Sequence, residues 1–234
     1  MLKVTPILCR AGQMDNYAYL LQDEDTGVAA ILDPSEVAPI VKECEKQQIK
    51  PQFVFNTHHH FDHVEGNLAL KQKYGAKVVV GTADFYRING ADIAVEDGDI
   101  FKLGNSEAEI IRADGHTIGH ILWYFAKDKV LFTGDVLFNL SIGGLFEGTP
   151  EQMWTSLCKI KKLPDDVLFY PGHEYTLYGL GRLYGSAAEN YAAKARERLK
   201  KGLPVAPITL GEEKVVNPYL ACCDLNDFYQ LMGF

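Results

Sequence analysis

Thr57-His58-His59-His60-Phe61-Asp62-His63-Val64-Glu65-Gly66-Asn67 is the stretch that decides how this chain is read. Four of the seven histidines stand in it. Two more lie in Gly115-His116-Thr117-Ile118-Gly119-His120, and the last in Gly172-His173-Glu174. Histidines scattered over a surface or a core would not gather this way. The first cluster has the form His-x-His-x-Asp-His. In a tight loop, alternating residues can point at one metal ion while the adjacent Asp and His turn toward a second. Imidazole and carboxylate suit zinc, iron or manganese, and no matching cysteine narrows the choice. Without metal, six or seven buried polar groups would lack partners, which is costly. Phe132-Thr133-Gly134-Asp135 adds a carboxylate at another strand end, where Gly134 permits a tight turn.

Each cluster is placed just after an apolar run of strand length. Residues 53–55 lead into the first, 109–113 into the second, 130–132 into Asp135, and 167–170 into Pro171-Gly172-His173. Loops at strand ends are where a scaffold presents functional groups. Further out, residues 17–21 and 28–32 flank the turn Glu24-Asp25-Thr26-Gly27 and read as a hairpin. Strands are also expected at 78–80, 100–103 and 121–125, with a sharp turn at Lys127-Asp128 before the strand at 130. Helical spacing marks 39–48 and 68–74, the latter ending at Gly75. Thr149-Pro150-Glu151-Gln152 opens a third helix: Thr149 caps, Pro150 suits the first position and Gln152 completes a capping box. Beyond His173 the pattern is helical, notably over 186–201. Short strands with interleaved helices predict an α+β fold, with two packed sheets and helices outside.

The 234 residues fit one large domain, or a core with a small appendage. Apolar content of 47% and 23% charged residues describe an ordinary globular chain. The formal charge of −8 argues against nucleic acid as a partner, since phosphate recognition needs a basic surface. Pro6, Arg10 and Gln13 interrupt the N-terminal apolar stretch, so no secretory signal is expected. No window approaches the roughly 18 apolar residues of a membrane span. Cys9, Cys44, Cys158, Cys222 and Cys223 are odd in number and form no framework, which points to reduced thiols and a cytoplasmic location.

Taken together, these segments resemble the metallo-β-lactamase superfamily, and within it the glyoxalase II (hydroxyacylglutathione hydrolase) family. Asp15-Asn16-Tyr17-Ala18-Tyr19-Leu20 and Ala30-Ile31-Leu32-Asp33-Pro34 look like its opening hairpin, and residues 57–67 like its signature loop. The motif at 115–120, then Phe132-Thr133-Gly134-Asp135-Val136-Leu137-Phe138, Phe146-Glu147-Gly148-Thr149, Gly172-His173-Glu174-Tyr175-Thr176 and Asn217-Pro218-Tyr219 follow in order. The resemblance implies an αβ/βα sandwich over 1–172 and a small helical, substrate-binding region over 173–234. It assigns His58, His60 and His116 to one divalent ion and Asp62, His63 and His173 to another, with Asp135 bridging them. His59, His120 and Asp33 become orienting residues.

The implied activity is hydrolysis of a small-molecule thioester such as S-lactoylglutathione by a binuclear centre, zinc being favoured over iron or manganese, in a monomer. Asp62 would orient the nucleophile, and Asp62 and Asp135 are the catalytic carboxylates. Tyr175, Gly144 and Phe146 are expected to contact substrate. One departure from the resemblance matters. Glutathione-using members place a lysine before the Tyr-Glu-Gly-Thr-like segment and basic residues after the Asn-Pro-Phe-like segment. This chain has Gly143-Gly144-Leu145-Phe146 and Tyr219-Leu220-Ala221-Cys222-Cys223 there. Arg182 or lysines of the tail are the candidates to replace them, or else the thiol is less anionic. A persulfide dioxygenase-like mononuclear iron enzyme and a metal-binding regulatory protein are the other readings of the same motifs.

Overall fold

β1 (Leu2–Cys9) and β2 (Asn16–Asp23) pair antiparallel along their full length, Leu2 opposite Asp23 and Cys9 opposite Asn16. Pro6, which broke the N-terminal apolar pattern, sits inside β1. It is tolerated because β1 is an edge strand with no partner on its other side. β3 (Ala29–Leu32) follows antiparallel. β4 (Phe53–Phe55), β5 (Lys77–Gly81) and β6 (Ile93–Val95) then add in parallel, giving a six-stranded sheet in sequential order. This computed structural model describes residues 1–180 and 186–233.

The second sheet is built from β7 (Ile100–Leu103), β8 (Ser106–Arg112), β9 (Ile121–Phe125) and β10 (Val130–Gly134) as an antiparallel meander. A two-stranded hairpin, β11 (Leu137–Phe138) and β12 (Ser141–Ile142), comes next. β13 (Leu168–Pro171) then lies parallel to β10, and β14 (Ile208–Thr209) covers the outer edge of β13.

The strands of both sheets that read as unbroken apolar runs are buried on both faces, as expected where each face is covered. Alternate residues divide accordingly. Tyr17, Tyr19 and Leu21 of β2 enter a core between the sheets with Trp123 and Phe132, while Ala18 and Leu20 face helices. Phe55 and Trp123 stack across the inter-sheet core at 4.1 Å between ring centroids and 11°. Outside the first sheet pack α1 (Val37–Gln47) and α3 (Asn67–Tyr74) through Ile40, Cys44 and Leu70. Outside the second lies α4 (Pro150–Lys161), through Met153, Leu157 and Ile160. Its start carries the expected capping box of Thr149 and Gln152.

α5 (Thr176–Leu180) and α6 (Ser186–Lys200) follow β13. α7 (Leu210–Val216), α8 (Pro218–Ala221) and α9 (Leu225–Met232) join the α4 layer through Leu210, Leu220 and Phe228. The layers are therefore helix, sheet, sheet, helix, an α+β sandwich. Several elements escaped the pattern reading: β1, β6, β11, β12 and β14, and Phe61–Val64, which within the histidine stretch forms a single helical turn, α2. Among the described residues, no helix is long and apolar enough to cross a membrane.

Candidate active site

The three histidine clusters and Asp135 meet at the ends of β4, β8, β10 and β13. Ligand-capable atoms of His58, His60 and His116 lie within 4.8 Å of one another. Those of Asp62, His63 and His173 do the same, as do those of His58, His63 and Asp135. Asp135 stands between the two outer groups. Its Oδ2 is 3.5 Å from His116 Nε2 and 3.2 Å from His173 Nε2, and its Oδ1 is 3.4 Å from His63 Nε2. All seven residues predicted from sequence as ligands are thus brought together.

Local structure explains how. The helical turn α2 rotates Asp62 and His63 away from the extended residues before it, so neighbours in sequence reach different groups. Gly134 takes a left-handed conformation (φ +48°), and a Cβ there would fall 2.6 Å from both His120 Nε2 and Thr57 Oγ1. This is why the Asp135 turn needs glycine. Gly172 is equally confined: a Cβ would stand 2.2 Å from Asp135 Oδ1.

The outer hydrogen bonds fix the tautomers. His116 Nδ1–H donates to the Gly144 carbonyl at 2.8 Å, and His173 Nδ1–H donates to the Met14 carbonyl at 2.8 Å. His63 Nδ1–H donates to Asp33 at 3.1 Å. Thr57 gives its hydroxyl proton to Asp33 at 2.7 Å and can accept from His58 Nδ1 at 3.0 Å. Each of these rings is left with an Nε2 lone pair directed inward, the arrangement that prepares imidazole for a cation. His116 Nε2 faces His60 Nδ1 at 3.0 Å, and His63 Nε2 faces His173 Nε2 at 3.3 Å. His58 Nε2 and Asp135 Oδ1 are buried with no hydrogen-bond partner. Lone pairs converging on lone pairs, with orphaned buried acceptors among them, fit divalent cations.

Electrostatics agree. Burial holds His58 well below the usual imidazole range and also lowers His60 and His116, so these rings are neutral. Burial opposes charge on His63 and His173 too, but the Asp135 carboxylate beside them outweighs it and raises both. Burial likewise resists the Asp135 charge, yet His173 and His63 hold its carboxyl well below the ordinary range. A proton and a cation compete for these lone pairs.

Two of the orienting candidates, Asp33 and His120, lie behind these groups. Asp33 is buried under Thr57 and His63, and His120 Nε2 accepts from the Asp135 backbone N–H at 3.1 Å. His59 turns outward to a group the sequence reading missed. Its Nδ1 lies 3.1 Å from the buried carboxylate of Asp84, and Arg87 donates to its Nε2. Arg87 also pairs with Glu147, whose Oε2 accepts from the Ile118 N–H at 2.9 Å. A second missed group is Glu213 with Asn217. Glu213 accepts from the Leu140 N–H between β11 and β12, and Asn217 donates to the Phe138 and Ser141 carbonyls at 3.3 and 3.1 Å. Both groups join residues far apart in sequence, and no local pattern announces such pairs.

Beside the ligands opens a chamber of about 910 Å³. The three residues expected to contact substrate, Gly144, Phe146 and Tyr175, all line it. Tyr175 stacks on His173 at 4.6 Å and 15°, and burial pushes its phenol up to about 12, so it stays protonated as a donor. Arg182 lies outside the described residues.

The family model described as "Metallo-beta-lactamase superfamily" matches residues 11–173. A hydroxyacylglutathione hydrolase of Pelagibacter ubique is 42% identical over 222 residues, covering 93% of this chain and 93% of that protein. A second protein of that name, from Ruegeria pomeroyi, is 42% identical over 215 residues, covering 90% and 84%. Among solved structures, ETHE1 from Myxococcus xanthus superposes with a TM-score of 0.76 at 24% identity, over 98% of this chain and 89% of that one. The BLEG-1 B3 metallo-β-lactamase gives 0.72 at 23% identity, over 94% and 100%. At these identities the structural likeness bears on the fold alone.

Proposed function

This chain belongs to the metallo-β-lactamase superfamily and, within it, to the hydroxyacylglutathione hydrolase family, and from that premise we propose that it hydrolyses S-2-hydroxyacylglutathione thioesters to a 2-hydroxy acid and free thiol. In this reading His58, His60 and His116 would hold one divalent ion and Asp62, His63 and His173 a second, with Asp135 the carboxylate shared between them. Zinc suits the nitrogen and oxygen donors best, with iron or manganese as alternatives. Such ions, when bound, bring the pKa of a coordinated water toward ~7 and polarise a carbonyl.

The protein's own groups do the rest. Asn16 Nδ2 donates to Asp62 Oδ2 at 2.8 Å and fixes the carboxylate that orients the attacking water. Water oxygen adds to the thioester carbonyl, the C–S bond breaks, and the thiolate departs to take up a proton. A thiol with a pKa of ~8.5 leaves without a strong acid, which accords with the lack of a dedicated acid among the described residues lining the chamber. Tyr175 donates to the bound substrate. The division into a catalytic region over 1–172 and a substrate-binding region over 173–234 belongs to the same proposal, with His173 at the junction. So do a monomeric state and a cytoplasmic location, which the five free cysteines support.

The observation that carries the reading is Asp135, one carboxylate in reach of histidines from both groups. Metal content by mass spectrometry on the sample assayed with S-lactoylglutathione tests it. Two ions per chain with hydrolysis are expected. One iron per chain with oxygen uptake, or metal with no hydrolysis, would overturn it.

A further inference from the structure

Resting on the hydrolase reading, we propose that Glu213 and Asn217 are positioning residues for substrate. Neither of them lines the chamber, and together they hold the β11–β12 hairpin in place as one of its walls.

The hairpin turns on Asn139 and Leu140, and its strand residues Phe138, Ser141 and Ile142 line the chamber. Leu140 takes φ +65°, the left-handed region in which a side chain is strained. Such a turn persists only where its surroundings over-determine it, and strain of this kind gathers at ligand clamps. Here Glu213 Oε1 accepts the Leu140 N–H. Asn217 Nδ2, which donates to the Phe138 and Ser141 carbonyls, also donates to that same Oε1 at 2.9 Å. One oxygen therefore anchors both the turn and the amide that anchors the strands. The turn is confined against α5 as well, since a Cβ at Gly179 would fall 2.8 Å from Leu140 Cβ.

Two lines of contact lead from the pair to the substrate. Phe138 lies edge-on to Tyr175 at 5.3 Å and to His173 at 5.7 Å, so the hairpin backs the phenol that donates to substrate. Asn217 Oδ1 accepts from the Tyr219 N–H at 3.0 Å, and Tyr219 lines the same chamber. Asn217 thus joins the hairpin wall to the wall at the start of α8.

Glu213 is fully buried, where an apolar side chain of similar volume would escape the cost of desolvation. What the carboxyl supplies in exchange is an acceptor aimed at the turn. Its other oxygen has the Tyr191 hydroxyl at 3.4 Å. Glutamine can keep all three contacts, with Oε1 accepting twice and Nε2–H donating to the Tyr191 oxygen; leucine keeps none.

The test compares the metal-loaded parent with Glu213→Gln, Glu213→Leu and Asn217→Ala on S-lactoylglutathione, reading kcat, KM, metal content and the thermal midpoint. Glu213→Leu and Asn217→Ala should raise KM by about tenfold while kcat stays within about threefold, with metal content equal to the parent's. Glu213→Gln should keep the parent KM. A purely structural role would lower the midpoint and leave KM of the folded enzyme unchanged, which overturns the proposal. Metal loss in proportion to lost activity also overturns it, as does a KM for Glu213→Gln raised as far as that for Glu213→Leu. If Glu213→Leu does not fold, Asn217→Ala decides; failure of both to fold assigns the pair to stability alone and overturns the proposal too. Absence of turnover by the parent ends the hydrolase reading itself, an outcome distinct from an unchanged KM.

Discussion

Arg87 donates to Nε2 of His59 across 2.6 Å, tying a residue 28 positions away to the histidine between two candidate ligands. The same guanidinium holds Glu147 at about 2, well below an ordinary glutamate, and Glu147 receives the Ile118 N–H beside His116. The group thus braces the loops that carry His58, His60 and His116. Arg87→Met should weaken binding of one ion per chain, by less than the roughly 10- to 100-fold that losing a group bonded directly to a ligand costs. Competition with a chromophoric chelator reads this directly. Arg87→Lys keeps the charge without the fork and should recover only part of the affinity. Equal weakening of both ions would argue against this bracing.

Asp135→Asn removes the charge that both groups face. Turnover should fall by at least ~100-fold, more than an outer partner costs, and metal content should fall with it. Near-ultraviolet circular dichroism should still show a folded protein. Activity within a few-fold of the parent would remove Asp135 from the centre.

Gly172→Ala tests the packing of the site without touching a ligand. The new methyl must displace Asp135 Oδ1 and His63 Cε1, which would lie 2.2 and 2.9 Å from it. The expected result is loss of metal affinity out of proportion to any change in the unfolding midpoint of the metal-free protein. Tight binding of two ions by this variant would mean that the ligands shift freely.

Glu213 gives a pH prediction remote from the metal ligands. Burial raises its carboxyl to about 7, against an ordinary 4.5. Between those values the folded protein keeps a proton that the unfolded chain releases. The carboxyl's contribution is therefore complete below pH 4.5 and disappears as pH rises toward 7, on the order of 3 kcal/mol in all. Urea unfolding of the metal-free protein at pH 5, 6 and 7 should show stability falling more steeply in the parent than in Glu213→Gln. Parallel lines would place the carboxyl's titration elsewhere.

The candidate ligand set was legible in the sequence because each candidate follows a short apolar strand, and strand ends converge in a two-sheet sandwich. The α4 cap at Thr149 was legible for a different reason, since its partners lie three residues apart. β1 was not, because Pro6 disrupts the pattern that an edge strand does not need to keep. The helical turn over Phe61–Val64 was hidden by the motif containing it. Asp84 and Arg87 look like ordinary surface polar residues along the chain, Glu147 stands out there only as part of the motif at 146–149, and only the fold brings Arg87 to that carboxylate 60 positions later. Glu213, fully buried in a charged helix, has no sequence signature at all.

The two residues of β14 have an effect larger than their length. By pairing with Leu168 and Phe169 they cover the outer edge of the first half of β13, where an uncovered row of amides would invite another strand to add. The strand leading to His173 is therefore fastened on both margins at its start, by β10 on one side and by β14 on the other.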